Sequence, residues 1–155
     1  MRDYGITAVT ITGPNISEIR TDSGFPIKSI GALKHPNLAL ISEDQGEEDI
    51  ENTNGDFEIE LFVQNPSIVY NGLSRYYLKG TAAPSYFRFY GGNGAVSAPE
   101  LIIEDLIFFH RNSSDFVVNL QQSIRGSFVS VGHVISKNAP PVIEVEAYIG
   151  PFIFD

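Results

Sequence analysis

The clearest alternation of apolar and polar positions runs from Phe57 to Val63. Phe57, Ile59, Leu61 and Val63 fall on one side, and Glu58, Glu60 and Phe62 on the other. A period of two puts neighbouring side chains on opposite faces of an extended strand. The segment therefore predicts a strand with one face in a core and the other, mostly acidic, in water. Other runs read the same way. Ile6–Thr12 is β-branched and stops at Gly13-Pro14, a turn signal. Phe25–Ile30 lies between two glycines, and Leu38–Ile41 follows Pro36-Asn37. Ile68–Tyr70 leads through Asn71-Gly72, a hairpin-type dipeptide, into Arg75–Leu78. Ser85–Tyr90 ends at Gly91-Gly92-Asn93-Gly94, while Phe128–Ile135 and Val142–Ile149 complete the set.

Two segments leave strand and helix open. In Leu101–Phe109, Ile102, Leu106 and Phe109 have helical spacing, and Ser97 with Glu100 resembles a capping box. The run is also short, apolar on most sides and bounded by turn residues, which suits a buried strand. Asp115–Arg125 divides similarly: Val117, Leu120 and Ile124 would share a helix face, but Phe116, Val118 and Leu120 alternate. Strand is the preferred reading, with at most one of the two helical. No internal repeat, low-complexity tract or linker is visible, so residues 1–155 read as one domain. Eight to ten short strands punctuated by turns predict an all-β fold, an antiparallel β-sandwich of jelly-roll type.

Composition sharpens this picture in three ways. The chain has no cysteine, which removes disulfides, thiolate metal sites and cysteine nucleophiles. Its net charge is −9, and the four Lys and six Arg are scattered, so no basic surface for nucleic acid or an anionic membrane is expected. No run approaches the ~20 apolar residues of a membrane span. The start, Met1-Arg2-Asp3-Tyr4-Gly5, lacks the apolar core of a secretory signal, so the expectation is a protein that is cytoplasmic at synthesis and then incorporated into an assembly such as a virion.

Candidate chemistry is sparse. His35, His110 and His133 have no ligand spacing, although residues from separate strands could still converge on zinc. The acidic stretch Glu43–Asn54 reads as a solvated loop; the alternative is calcium held by Glu47, Glu48 and Asp49. Nucleophile elbows, phosphate-binding loops and dinucleotide fingerprints are missing, so no enzyme activity and no cofactor is expected.

The tyrosines Tyr76, Tyr77, Tyr86 and Tyr90 stand on consecutive strand candidates. A flat apolar ring with a polar tip suits core packing, a protein interface or a sugar platform. Beyond Gly150-Pro151 the tail carries Phe152, Ile153 and Phe154, an apolar end that predicts packing on its own domain or on a neighbouring subunit. The expected function is a structural or interaction protein of a symmetric homo-oligomeric assembly, such as a virion or phage accessory component. Its partners are then protein subunits. The alternative is a lectin-like module that binds glycan through surface tyrosines.

Overall fold

The computed structural model describes residues 8–43, 55–129, 131–147 and 150–155. Ten strands occur among them: β1 (Glu18–Thr21), β2 (Ile27–Glu43), β3 (Phe57–Gly72), β4 (Arg75–Ala82), β5 (Ser85–Gly92), β6 (Ala95–His110), β7 (Phe116–Phe128), β8 (Val134–Ser136), β9 (Val142–Ala147) and β10 (Phe152–Phe154). Every pairing between them is parallel. The all-β expectation holds, but the antiparallel sandwich and its jelly-roll topology do not. The chain is a β-solenoid of about six turns.

Register shows how one turn is built. Phe57 pairs with Tyr76, Val96 with Phe116, Phe116 with Val134, and Val134 with Phe152. Each step is about 20 residues, the length of one repeat in a stacked architecture. Parallel neighbours need a crossover of a dozen or more residues, and here the rest of the turn supplies it. A turn has two extended halves. The first halves contain the start of β3, then β4, the start of β6, the start of β7, β8 and β10. The second halves contain the end of β3, then β5, the ends of β6 and β7, and β9.

The core lies between the two halves. Phe57, Tyr76, Phe116 and Val134 are fully buried, and Val96 is nearly so. Phe57 stacks on Tyr76 with ring centroids 4.6 Å apart. Phe116, from a first half, meets Phe89 and Phe108, from second halves, at 5.1 and 5.8 Å. Each such side chain gains roughly 1.5–3 kcal/mol from burial. One position must stay open for this packing. Gly126 stacks on Phe108, and a Cβ there would stand 1.9 Å from the Phe108 carbonyl oxygen at a φ of +142°.

The sequence expectation of no internal repeat is also corrected. Gly55-Asp56-Phe57, Ser74-Arg75-Tyr76, Gly94-Ala95-Val96, Ser114-Asp115-Phe116, Gly132-His133-Val134 and Gly150-Pro151-Phe152 are successive copies of one corner. A small residue turns the chain, the next points outward, and the large apolar one enters the core. The Asn71-Gly72 dipeptide is a corner between turns, not a hairpin, because β3 and β4 run parallel. Leu101–Phe109 lies within β6, and Phe116–Gln121 within β7. Phe128–Ile135 is split between the end of β7 and the start of β8. Residues 8–12 form no strand, and Val9 and Ile11 are exposed.

Candidate functional site

The outward ladder on the first halves is Glu58, Tyr77, Ser97, Val117, Ile135 and Ile153, in strict register. One residue before each core position stand Asp56, Arg75, Ala95, Asp115, His133 and Pro151. The β6 turn therefore contributes Ala95 and Ser97 where its neighbours carry Arg75 and Tyr77 on one side and Asp115 and Val117 on the other. Short side chains between long ones leave a hollow of about 350 Å³. A second, of about 540 Å³, crosses the same face past Lys28, Glu58, Glu60, Lys79 and Glu100. Tyr77 and Ser97 line both. These volumes fall within the range of small-ligand sites, although both hollows are shallow.

The rim is held by hydrogen bonds between turns. The Asn112 side-chain amide and the Tyr70 hydroxyl both donate to the Gly94 carbonyl, at 2.8 and 2.6 Å. Ser113 Oγ donates to Asn93 Oδ1 at 2.6 Å, and Ser114 Oγ donates to the Asn93 carbonyl at 2.9 Å. The Arg75 amide donates to Asp56 Oδ1 at 2.9 Å, while its guanidinium has no ion-pair partner among the described residues. Asp115 Oδ1 receives both the His133 amide, at 3.0 Å, and His133 Nδ1, at 2.8 Å. Those two hydrogen bonds hold the Asp115 carboxyl below the usual carboxylate range. Across the second hollow, Lys28 pairs with Glu58 at 2.8 Å and Lys79 with Glu60 at 3.3 Å. Such exposed pairs contribute little to stability, about 0–1 kcal/mol, and mainly fix side-chain positions.

His110 lies beneath this rim, in a ladder with Tyr70, Phe89 and Phe128. Its Nε2 donates to the Ser114 carbonyl at 3.1 Å, and burial pushes its pKa down to about 4. The imidazole is thus neutral at pH 7 and ties the rim to the core.

The tyrosines are not gathered on one platform. Tyr77 is exposed and borders the hollow. Tyr76 is fully buried against Phe57 and serves the core. Tyr86 and Tyr90 belong to β5 on the second halves, with Tyr90 exposed and 5.8 Å from Phe109. Phe152 and Phe154 lie in β10 with ring centroids 4.9 Å apart. Glu47, Glu48 and Asp49 lie outside the described residues. Among the described residues no three His, Cys, Asp or Glu side chains are grouped as metal ligands. His35, in β2, exchanges hydrogen bonds with the backbone of Asn37, whereas His110 ends β6 and His133 precedes β8. Sequence reasoning missed Arg75, Ala95, Ser97 and Asp115, which meet only once the repeat step of the solenoid is known.

A stacked solenoid with a rigid, mixed polar and aromatic outer face is the architecture of a repeat-built binding scaffold. The chain belongs to the family described as "Putative auto-transporter adhesin, head GIN domain", whose model matches residues 2–140. The family assignment supports an adhesin-like interaction domain and gives no support to a virion component. No curated protein and no solved structure matches the chain.

Proposed function

We propose that this chain is a binding domain, not a catalyst, which engages a surface ligand through the outer face of its first halves. The observation that carries this reading is the pair of adjoining hollows around Tyr77 and Ser97. A rigid sheet presents their lining at fixed spacing, so little order is lost when a ligand docks. Beads coated with the full chain should be retained on at least one of mucin, extracellular matrix or bacterial cell-wall surfaces. Tyr77→Ala and Lys79→Ala should reduce retention, and Tyr86→Ala and Arg88→Ala on the opposite face should not. Retention on none of these surfaces, or equal loss from the two faces, contradicts the reading.

A second reading, self-assembly, is favoured by the last described turn. Leu106, Ile124 and Ile143 form one inward ladder, fully buried at the first two positions and 45% exposed at Ile143. Phe154 is also exposed at this end. A second copy seated there would complete the burial that interior turns enjoy. Light scattering on the chain and on the Ile143→Glu, Phe154→Glu variant tests it. A larger particle that becomes a monomer supports self-assembly, and equal masses oppose it.

A further inference from the structure

Resting on the binding-domain reading, we infer that the hollow between Arg75, Tyr77, Ala95, Ser97 and Asp115 is a subsite for one neutral sugar ring of a surface glycan.

The floor and walls supply the three contacts a sugar needs. The exposed ring of Tyr77 offers a flat apolar face for the C–H side of a pyranose. Ala95 and Ser97 keep the space beside that ring empty at about the size of a monosaccharide with its water. Planar charged groups then bracket the space. The Arg75 guanidinium offers a donor fork that is unpaired among the described residues. Asp115 spends Oδ1 on His133, which leaves Oδ2 to accept hydroxyl hydrogens. A fork of donors facing a carboxylate acceptor matches vicinal hydroxyls, each of which both donates and accepts. Asn93 and Ser114 add polar groups on the rim.

Charge and backbone pairing argue against other occupants. Asp56 and Asp115 outnumber Arg75 locally, and the chain carries a net charge of −9, so an anionic ligand is repelled. Nucleic acid is disfavoured on the same ground. A peptide that binds by strand addition needs an open sheet edge, whereas this surface is the face of a sheet whose β4, β6 and β7 are paired on both sides. The hollow also lacks a deep apolar slot to anchor a peptide side chain.

A shallow site of this kind binds weakly, with Kd of about 0.1–10 mM for a single ring, and gains useful strength from repetition on a surface. The test uses the full chain. A glycan array of neutral oligosaccharides, including glucans, mannans, galactans and N-acetylated hexosamine oligomers, is probed with the multivalent, bead-coupled chain. The best binder is then titrated by NMR against the free chain. Binding to at least one neutral glycan is expected. Tyr77→Ala and Arg75→Ala should each weaken it at least about tenfold, Ser97→Leu should abolish it by filling the hollow, and Tyr86→Ala should leave it unchanged. Unchanged strand signal in the far-ultraviolet spectrum verifies that each variant is folded. Absence of binding to every neutral glycan overturns the inference, as does binding that Ser97→Leu does not affect. The two proposals fail separately. Surface retention that depends on Tyr77 but survives glycosidase treatment and periodate oxidation leaves the binding face in place and removes the sugar. Retention indifferent to Tyr77 removes the binding face itself.

Discussion

Two ladders run side by side along the same strands, one residue apart and facing opposite ways. The inner one, Phe57, Tyr76, Val96, Phe116 and Val134, varies in identity but presents a buried apolar group at all five positions. The outer one, Glu58, Tyr77, Ser97, Val117 and Ile135, moves from charge to aromatic to small hydroxyl to aliphatic. The difference follows from packing. An interior at crystal-like density penalises any missing volume, while a solvated face tolerates a change in size from turn to turn. A step down in side-chain size on the inner ladder would be a cavity, whereas on the outer ladder it is a hollow open to ligand.

The two ladders should therefore respond very differently to the same kind of change. Phe116→Ala removes a ring packed against four other aromatic residues, Phe87, Phe89, Phe108 and His110. Loss of about 3–5 kcal/mol is expected in chemical denaturation, enough to unfold a marginal domain. Gly126→Ala belongs beside it. The new methyl meets the Phe108 carbonyl at a backbone conformation that side chains rarely adopt, and roughly 2–5 kcal/mol should be lost. A stability change below 1 kcal/mol at either position would contradict the stacked core.

Protonation probes the link between core and rim. Burial lowers the His110 pKa from 6.5 to about 4. Between those values the unfolded chain binds the proton and the folded chain resists it, so stability falls as pH drops through this window. The loss approaches about 3 kcal/mol below pH 4 and is absent above pH 7. His110→Phe, which extends the aromatic ladder, should show a shallower decline between pH 7 and 4 than the original chain. Identical slopes would mean that His110 is solvated. The smallest effect belongs to the outer ladder: Tyr77→Ala should change stability by less than about 1 kcal/mol while weakening binding. A large loss of stability there would show that the face is structural.

Individual strands were legible because the period-two rule depends only on burial. Phe57–Val63 alternates in the structure as its pattern implies, with Phe57, Ile59, Leu61 and Val63 buried and Glu58 and Phe62 exposed. Their arrangement was not legible. A half-buried strand alternates identically in parallel and antiparallel sheets, and Asn71-Gly72 carries the same backbone freedom into a solenoid corner as into a hairpin. The repeat was masked because its core positions preserve apolar character, not identity, and its outward positions preserve neither: Phe57, Tyr76 and Val96 share no residue type. One turn is also longer than the rest, since Ile27 pairs with Phe57 across a step of about 30 residues that includes the acidic stretch. The hollow could not be seen without that step, because Arg75, Ser97 and Asp115 are brought together only by stacking successive turns.

The central claim is that stacking itself, and spin labels on the outer ladder measure it most directly. Cysteine pairs at Glu58 with Ile135, at Tyr77 with Ile153, and at Glu58 with Ile153 span four, four and five register steps. Parallel strands lie about 4.8 Å apart, so the backbone separations should be near 19, 19 and 24 Å. Dipolar spectroscopy should therefore give two equal distances and a third longer by one strand spacing. Unequal distances for the first two pairs, or a Glu58–Ile153 distance no longer than that of Glu58–Ile135, would contradict the solenoid and the binding face built on it.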